Sequence, residues 1–134
     1  MISTKDNLLE ALNSFGNLTI AVVGDLILDK YVWGDVERIS PEAPVPIVKV
    51  DKVEYRLGGA ANVVMNLCKL GVKAELCAVV GDDEESKTAK MLLAKVSAPT
   101  SGLVIDPSRP TSVKTRIIAR RQQMIRVDSE STIA

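Results

Sequence analysis

The sequence contains no histidine among its 134 residues. This absence excludes histidine as a catalytic acid or base and excludes metal sites built on imidazole. Aromatic residues are scarce at 3%, whereas hydrophobic residues make up 46%, so aliphatic side chains must fill the core. Cysteine is also rare, because Cys68 and Cys77 are the only two and form no CxxC pair. We therefore expect two reduced thiols in the core.

Neither sign of charge is in excess, since 17 basic residues balance 17 acidic residues. Balanced charge argues against a nucleic-acid surface or a polybasic membrane patch, while small charged substrates need only local charge. No apolar run approaches the ~20 residues of a membrane span. We therefore expect a cytoplasmic protein that binds a small molecule and neither nucleic acid nor membrane.

Hydrophobic periodicity predicts helices that alternate with short apolar strands. Helices are predicted over residues 4–15, from about Gly59 to Leu70, and after an N-cap at Asp82 or Asp83. Strands are predicted at 19–23, 74–80 and 103–105. The first of these strands is wholly apolar, which is typical of a strand buried on both faces. The alternation predicts a doubly wound, Rossmann-like α/β core around a parallel sheet.

Residues 31–57 depart from this alternation. Three prolines punctuate the segment, and Gly34 is expected to break a strand that begins at Tyr31. Prolines confine strands to edges or exposed sheets, so the segment is predicted to form a small β-excursion outside the main sheet. Further on, residues 113–127 are predicted to form a hairpin whose turn is residues 120–123.

Two groups of polar residues follow predicted strands. Gly58 and Gly59 allow a tight turn and close approach of a ligand, and Asn62 offers donors and acceptors suited to sugar hydroxyls. Asp25 and Asp29 follow the first strand, and ligands of open α/β sheets lie beyond the carboxyl ends of strands. Each group has a structural alternative: the glycines can simply pack a strand on a helix, and the carboxylates can cap a helix or solvate a loop.

A resemblance to a known family appears at these residues. The segment 58–62, followed by Gly71 and Gly81, resembles the first signature of the ribokinase-like (PfkB) carbohydrate kinases. Residues 22–29 resemble the first strand of that family. The resemblance spans residues 18–130, which is nearly the whole chain.

Two further segments narrow the resemblance. Residues 38–50 and 121–128 are similar to the heptose-7-phosphate kinases, which occur alone or fused to a heptose-1-phosphate adenylyltransferase. The resemblance implies transfer of the γ-phosphate of ATP to the anomeric hydroxyl of a heptose 7-phosphate, for ADP-heptose and lipopolysaccharide core synthesis. It also implies that Asp29 and Asn62 hold sugar hydroxyls while Gly58 and Gly59 frame the pocket.

The resemblance implies a domain plan as well. Residues 1–134 would form the N-terminal part of a ribokinase-type kinase domain, truncated, with its core at 1–30 and 58–134. A small β-sheet lid at about 31–57, joined by the hairpin 113–127, would exclude water and form a homodimer. ATP and Mg²⁺ would be bound mainly by residues downstream, where a Gly-Ala-Gly-Asp motif supplies the catalytic base. We therefore expect no catalytic residue in these 134 residues and no kinase activity from them alone.

Basic residues near the pocket are candidates for binding the 7-phosphate. Arginine is well suited because its guanidinium meets phosphate with two parallel hydrogen bonds. The candidates are Arg56, Lys114, Arg116, Arg120, Arg121 and Arg126. The alternative for each is a solvated edge that blocks strand pairing. Two functional alternatives also stay open: a non-catalytic module that dimerises through the lid, and a kinase for another sugar, nucleoside or sugar phosphate.

Overall fold

The computed structural model describes residues 4–131, so residues 1–3 and 132–134 of the expected domain lie outside the described residues. The helices are α1 (Lys5–Ser14), α2 (Gly59–Lys69) and α3 (Glu84–Ala94), and a 3₁₀ turn, Phe15–Asn17, extends α1. The strands are β1 (Thr19–Val23), β2 (Leu26–Ile39), β3 (Pro46–Gly58), β4 (Lys73–Val80), β5 (Leu103–Ile105), β6 (Val113–Ala119) and β7 (Gln122–Ser129).

The strands form two sheets. One is parallel, with strand order β1-β4-β5. The other has the order β3-β2-β6-β7 and is mixed, because β2 is antiparallel to β3 and parallel to β6. Helices α2 and α3 follow strands of these sheets and supply the crossovers that parallel pairing needs. The predicted α/β fold with a second sheet is confirmed, but this second sheet has four strands and is not the smaller of the two.

The core lies between the helices and one face of the parallel sheet. Its fully buried side chains include Leu28 of β2, Val64 of α2, Leu76 of β4 and Leu93 of α3. The other face of the parallel sheet is not covered within the described residues, and Val23 is 81% exposed. The expectation that β1 is buried on both faces is therefore wrong, because within residues 4–131 β1 pairs only with β4 and meets helices on one side.

Strand β2 is longer than its sequence pattern indicates. It continues through Gly34 to Ile39, so the predicted break at this glycine is wrong. The register with β3 shifts between Trp33 and Gly34, and a Cβ at Gly34 would collide with the carbonyl oxygen of Lys49. The glycine therefore permits a close approach of two strands at a bulge instead of ending one of them.

The hairpin of β6 and β7 also differs in detail. Gln122 and Gln123 belong to β7, so the turn is only two residues, Arg120 and Arg121. Both have positive φ, at 50° and 66°, which is the conformation that two-residue hairpin turns require. Arginine rarely adopts this conformation, and for that reason the sequence pattern did not indicate so short a turn.

The helices are confirmed where predicted, and several apolar side chains of α1 and α2 are partly exposed. Gly71 ends α2 with φ of 88°, as expected of a helix C-terminus. Val63 of α2 and Leu70, the residue that follows its last turn, are 48% and 54% exposed. The three leucines of α1 are likewise about half exposed, with relative exposures of 55%, 48% and 51% at Leu8, Leu9 and Leu12.

A buried polar joint connects the two sheets. Asp83 caps α3 by accepting a hydrogen bond from the Ser86 amide at 2.8 Å. Its carboxylate also accepts from the backbone amide and the hydroxyl of Thr111, at 2.8 and 2.7 Å. The Thr111 hydroxyl in turn accepts from the amide of Gly81 at 2.9 Å. Because Thr111 lies just before β6, the joint fixes where that strand begins relative to β4.

The second sheet carries apolar residues on the face that does not bear Asp29. Val53, Ile125 and Val127 are 44%, 53% and 51% exposed, and register places them on the side of Val32. Dimerisation through this sheet stays a prediction. Among residues 4–131, no helix has the length and apolar character needed to cross a membrane.

Candidate functional site

The candidate site lies on one face of β2. Successive residues of a strand point to opposite faces, so Asp29 and Tyr31 share a face. Asp29 is opposite Arg56 on β3 and Lys114 on β6, and Tyr31 is opposite Arg116 on β6. The long β2 thus brings together residues from three distant segments of the chain.

Asp29 forms an ion pair with Arg116. The guanidinium Nη1 donates to Asp29 Oδ1 and also to the backbone oxygen of Lys114 at 3.4 Å. The two paired side chains are 19% and 23% exposed, so the pair is largely shielded from solvent. The hydrogen bond to Asp29 raises the pKa of the Arg116 guanidinium above its ordinary value, which keeps it charged.

Tyr31 has two guanidinium groups against its ring. The Arg56 Cζ lies 4.7 Å from the ring centroid, and the Arg116 Cζ lies 5.4 Å from it, which are cation–π distances. Arg56 Nε donates a 2.8 Å hydrogen bond to Glu54 Oε1, which holds the guanidinium in place. Hydrogen bonds from Arg56 and then Lys52 lower the pKa of Glu54, so this carboxylate stays ionised.

The two glycines lie directly beside these charges. A Cβ at Gly58 would be 2.6 Å from Asp29 Oδ2, so the carboxylate is packed against a glycine that leaves space for it. Gly59 has φ of 54° and a Cβ there would collide with the carbonyl of Asp25. That carbonyl accepts a 2.9 Å hydrogen bond from the Ala60 amide, which joins the end of β1 to the start of α2.

Two predicted site residues lie in other settings. Asp25 contributes its backbone carbonyl, while the residue itself is exposed. Asn62 is exposed and lines a cavity together with Tyr55, Arg56 and Leu57, but Asp29 is not among the residues that line this cavity. The expectation that Asp29 and Asn62 hold the same sugar therefore stays a prediction.

The basic residues of β6 and β7 have different acidic partners. Arg116 reaches Asp29, whereas Arg126, directly opposite it on β7, donates to Asp128 at 2.9 Å. Lys114 lies 3.8 Å from Asp128 and 4.0 Å from Glu130.

The two arginines of the turn lie away from Asp29. Arg120 donates to the carbonyl of Val36 at 2.6 Å, near the far end of β2, and Arg121 completes the turn. The structure therefore groups Asp29, Arg56 and Arg116 and leaves Arg120 and Arg121 out of this group.

Sequence reasoning missed the aromatic part of the site. Tyr31 and Trp33 stack with ring centroids 6.2 Å apart and an interplanar angle of 16°. The indole Nε1 of Trp33 is buried without a hydrogen-bond partner among the described residues. A signal was present, because the chain has only one Trp and two Tyr, and Asp29, Tyr31 and Trp33 alternate at the period of a strand.

The arrangement can bind a polar ligand that carries an anion. The Asp29 carboxylate accepts hydrogen bonds from hydroxyls, and the two guanidiniums donate to phosphate or carboxylate. Among residues 4–131, no three Cys, Asp or Glu side chains converge as metal ligands.

The fold is the ribokinase-like α/β fold. Residues 17–132 match the family described as pfkB family carbohydrate kinase, and the chain belongs to that family. A carbohydrate kinase from Agrobacterium tumefaciens is similar in structure, with a TM-score of 0.70 over 84% of this chain and 35% of that one, at 20% identity. A ribokinase from Thermotoga maritima gives a TM-score of 0.63 over 83% and 36%, at 21% identity.

Curated relatives are closer in sequence. The chain is 55% identical over 111 residues to the bifunctional protein HldE of Helicobacter pylori, which covers 83% of this chain and 24% of that protein. It is 48% identical over 114 residues to the bifunctional protein HldE of Campylobacter curvus, which covers 85% and 24%. The chain thus spans about a quarter of the length of the curated relatives it matches.

Proposed function

We propose that the chain is the sugar-binding part of an ATP-dependent kinase that phosphorylates the anomeric hydroxyl of a heptose 7-phosphate. The observation that carries the proposal is the Asp29 carboxylate, which is held by Arg116 and faces the space beside Gly58. A carboxylate held in place by an ion pair can accept hydrogen bonds from sugar hydroxyls, and two arginines beside it suit a phosphate group. The substrate is thus a sugar that already carries an anion.

The proposal that the sugar is a heptose is based on sequence similarity. Residues 38–50 and 121–128 resemble the heptose-7-phosphate kinases, and the identity of 48–55% to HldE proteins supports that subfamily. Residues 121–128 run along β7, and residues 38–50 join β2 to β3, so both segments belong to the mixed sheet that bears Asp29. The segments that favour heptose are therefore in the same sheet as the candidate site.

The part played by ATP and Mg²⁺ is assigned to other residues. A phosphoryl transfer needs a base, a phosphate cradle and a metal, and the described residues offer neither a metal-ligand cluster nor a Gly-Ala-Gly-Asp motif. The part of the described residues is to bind and orient the sugar and to keep its phosphate end on the arginines.

The test is an ADP-release assay on the full-length gene product with heptose 7-phosphate. Replacing Asp29 by alanine removes an acceptor for hydroxyls, and we expect kcat/KM to fall about tenfold to a hundredfold. Asp35→Ala is the matched control. Asp35 lies on the same strand as Asp29, but it is exposed and its ion-pair partner is Arg120, at 3.8 Å, which lies outside the candidate site. The proposal fails if the wild-type protein releases no ADP or if both variants lose activity equally.

A further inference from the structure

The ion pair of Asp29 leaves the carboxylate only partly open to a sugar. Arg116 bonds Oδ1, whereas Oδ2 faces the backbone of Gly58. A sugar that presents two neighbouring hydroxyls meets a carboxylate best when both oxygens can accept. A neutral hydroxyl is also a weaker partner for a carboxylate than a guanidinium is. A sugar alone is therefore poorly equipped to displace Arg116.

A phosphate group can compete with Asp29 for the guanidinium of Arg116. The guanidinium of Arg116 lies beside the Tyr31 ring, and so does that of Arg56. Arg116 uses Nη1 for its hydrogen bonds, and Arg56 uses Nε. A guanidinium has five N–H donors, so both arginines keep donors for a shared ligand. A phosphate that bridges them gains two charge-assisted contacts, which can offset the loss of the Asp29 pair.

We infer that Arg116 is a specificity-determining residue that exchanges partners when substrate binds. Without substrate it covers Oδ1 of Asp29; the substrate phosphate takes over Arg116, and Oδ1 is then open to the sugar hydroxyls. The inference rests on the proposed function and adds to it the reason why a phosphorylated sugar is preferred. The unphosphorylated sugar must break the same ion pair without replacing it.

The exchange predicts opposite effects on two ligands. In the full-length gene product, Arg116→Met uncovers Asp29 and removes one phosphate contact. We expect it to bind unphosphorylated heptose about tenfold more tightly than the wild type and heptose 7-phosphate about tenfold more weakly. Isothermal titration calorimetry with each sugar measures both shifts, and far-UV circular dichroism checks that the variant is folded.

Arg56→Met is the matched control, because Arg56 is near the same ring but bonds Glu54 and not Asp29. It is expected to weaken heptose 7-phosphate only and to leave unphosphorylated heptose unchanged. A role for Arg116 that is merely structural would weaken both sugars in parallel, and that result, or no change in either, overturns the inference. If the wild type binds neither sugar, the proposed function itself is wrong.

A measurement on the wild type does not depend on the variant folding. Inorganic phosphate at millimolar concentration supplies the anion without the sugar, so it should raise the affinity for unphosphorylated heptose by several-fold if Arg116 is exchanged. In Arg116→Met the same addition should have no effect on that affinity. Phosphate that leaves the wild-type affinity unchanged, or lowers it, contradicts the exchange.

Discussion

At the scale of single residues, the account depends on a carboxylate whose two oxygens have different surroundings. Asp29 Oδ1 bonds Arg116, and Asp29 Oδ2 packs beside Gly58. Arg116 fixes the side chain of Asp29, and Gly58 leaves room next to its carboxylate. Both neighbours therefore determine how the carboxylate is presented, although neither of them needs to take part in phosphoryl transfer.

Gly58→Ala tests the space beside Oδ2. The new methyl group would lie 2.6 Å from that oxygen, so Asp29 must turn away or the strand must shift. We expect the affinity for heptose 7-phosphate to fall about tenfold or more, from the loss of a hydrogen bond to a charged group. Gly16→Ala is the control, because its nearest neighbour would be 3.8 Å away, and it should bind like the wild type. Equal affinity in all three proteins would show that the sugar does not use this space.

At the scale of elements, the joint between the sheets determines where β6 lies and hence where Arg116 points. Thr111 is 2% exposed and ties Gly81 and Asp83 to the start of β6. Burial raises the pKa of Asp83, but hydrogen bonds from Thr111 and Ser86 outweigh it and bring the pKa below its ordinary value of 3.8. The folded protein therefore binds the proton of this carboxyl less tightly than the unfolded chain does.

Thr111→Val removes the hydroxyl while keeping the shape. The Gly81 amide then lacks its acceptor, and we expect the free energy of unfolding to fall by about 1–3 kcal/mol at pH 7. The contribution of Asp83 is present above about pH 4 and is lost as the pH falls through its lowered pKa, so the variant should also show a weaker loss of stability in acid. Urea unfolding of the full-length gene product at several pH values measures both.

The control for the joint is Thr115→Val, a threonine of β6, the strand that follows Thr111; its hydroxyl has no hydrogen bond within residues 4–131. Its stability and its acid dependence should match those of the wild type. An unchanged Thr111→Val variant would mean that the joint does not stabilise the fold.

The elements show what sequence patterns can and cannot predict. The apolar runs of β1 and β4 and the aspartate cap of α3 are local features, and local patterns predicted them. The bulge at Gly34 and the arginine turn were missed, because each depends on how two strands meet. The pairing of Asp29 with Arg116 joins residues 87 positions apart through the parallel register of β2 and β6, which no periodicity reveals.

At the scale of the whole molecule, the two sheets have different roles. The parallel sheet supports the core helices, and the mixed sheet carries the charged face with Asp29. Ribokinase-like structures share the overall fold at about 20% identity over 84% and 83% of this chain. The second sheet carries the features on which the proposed substrate depends, so that is where binding must be examined.

The most direct test is a crystal structure of the full-length gene product with heptose 7-phosphate bound. The account predicts sugar hydroxyls within about 3 Å of the Asp29 carboxylate, with the phosphate on Arg56 and Arg116 and the Asp29–Arg116 pair open. A sugar that lies in the cavity beside Asn62, with Asp29 still paired to Arg116, would contradict it.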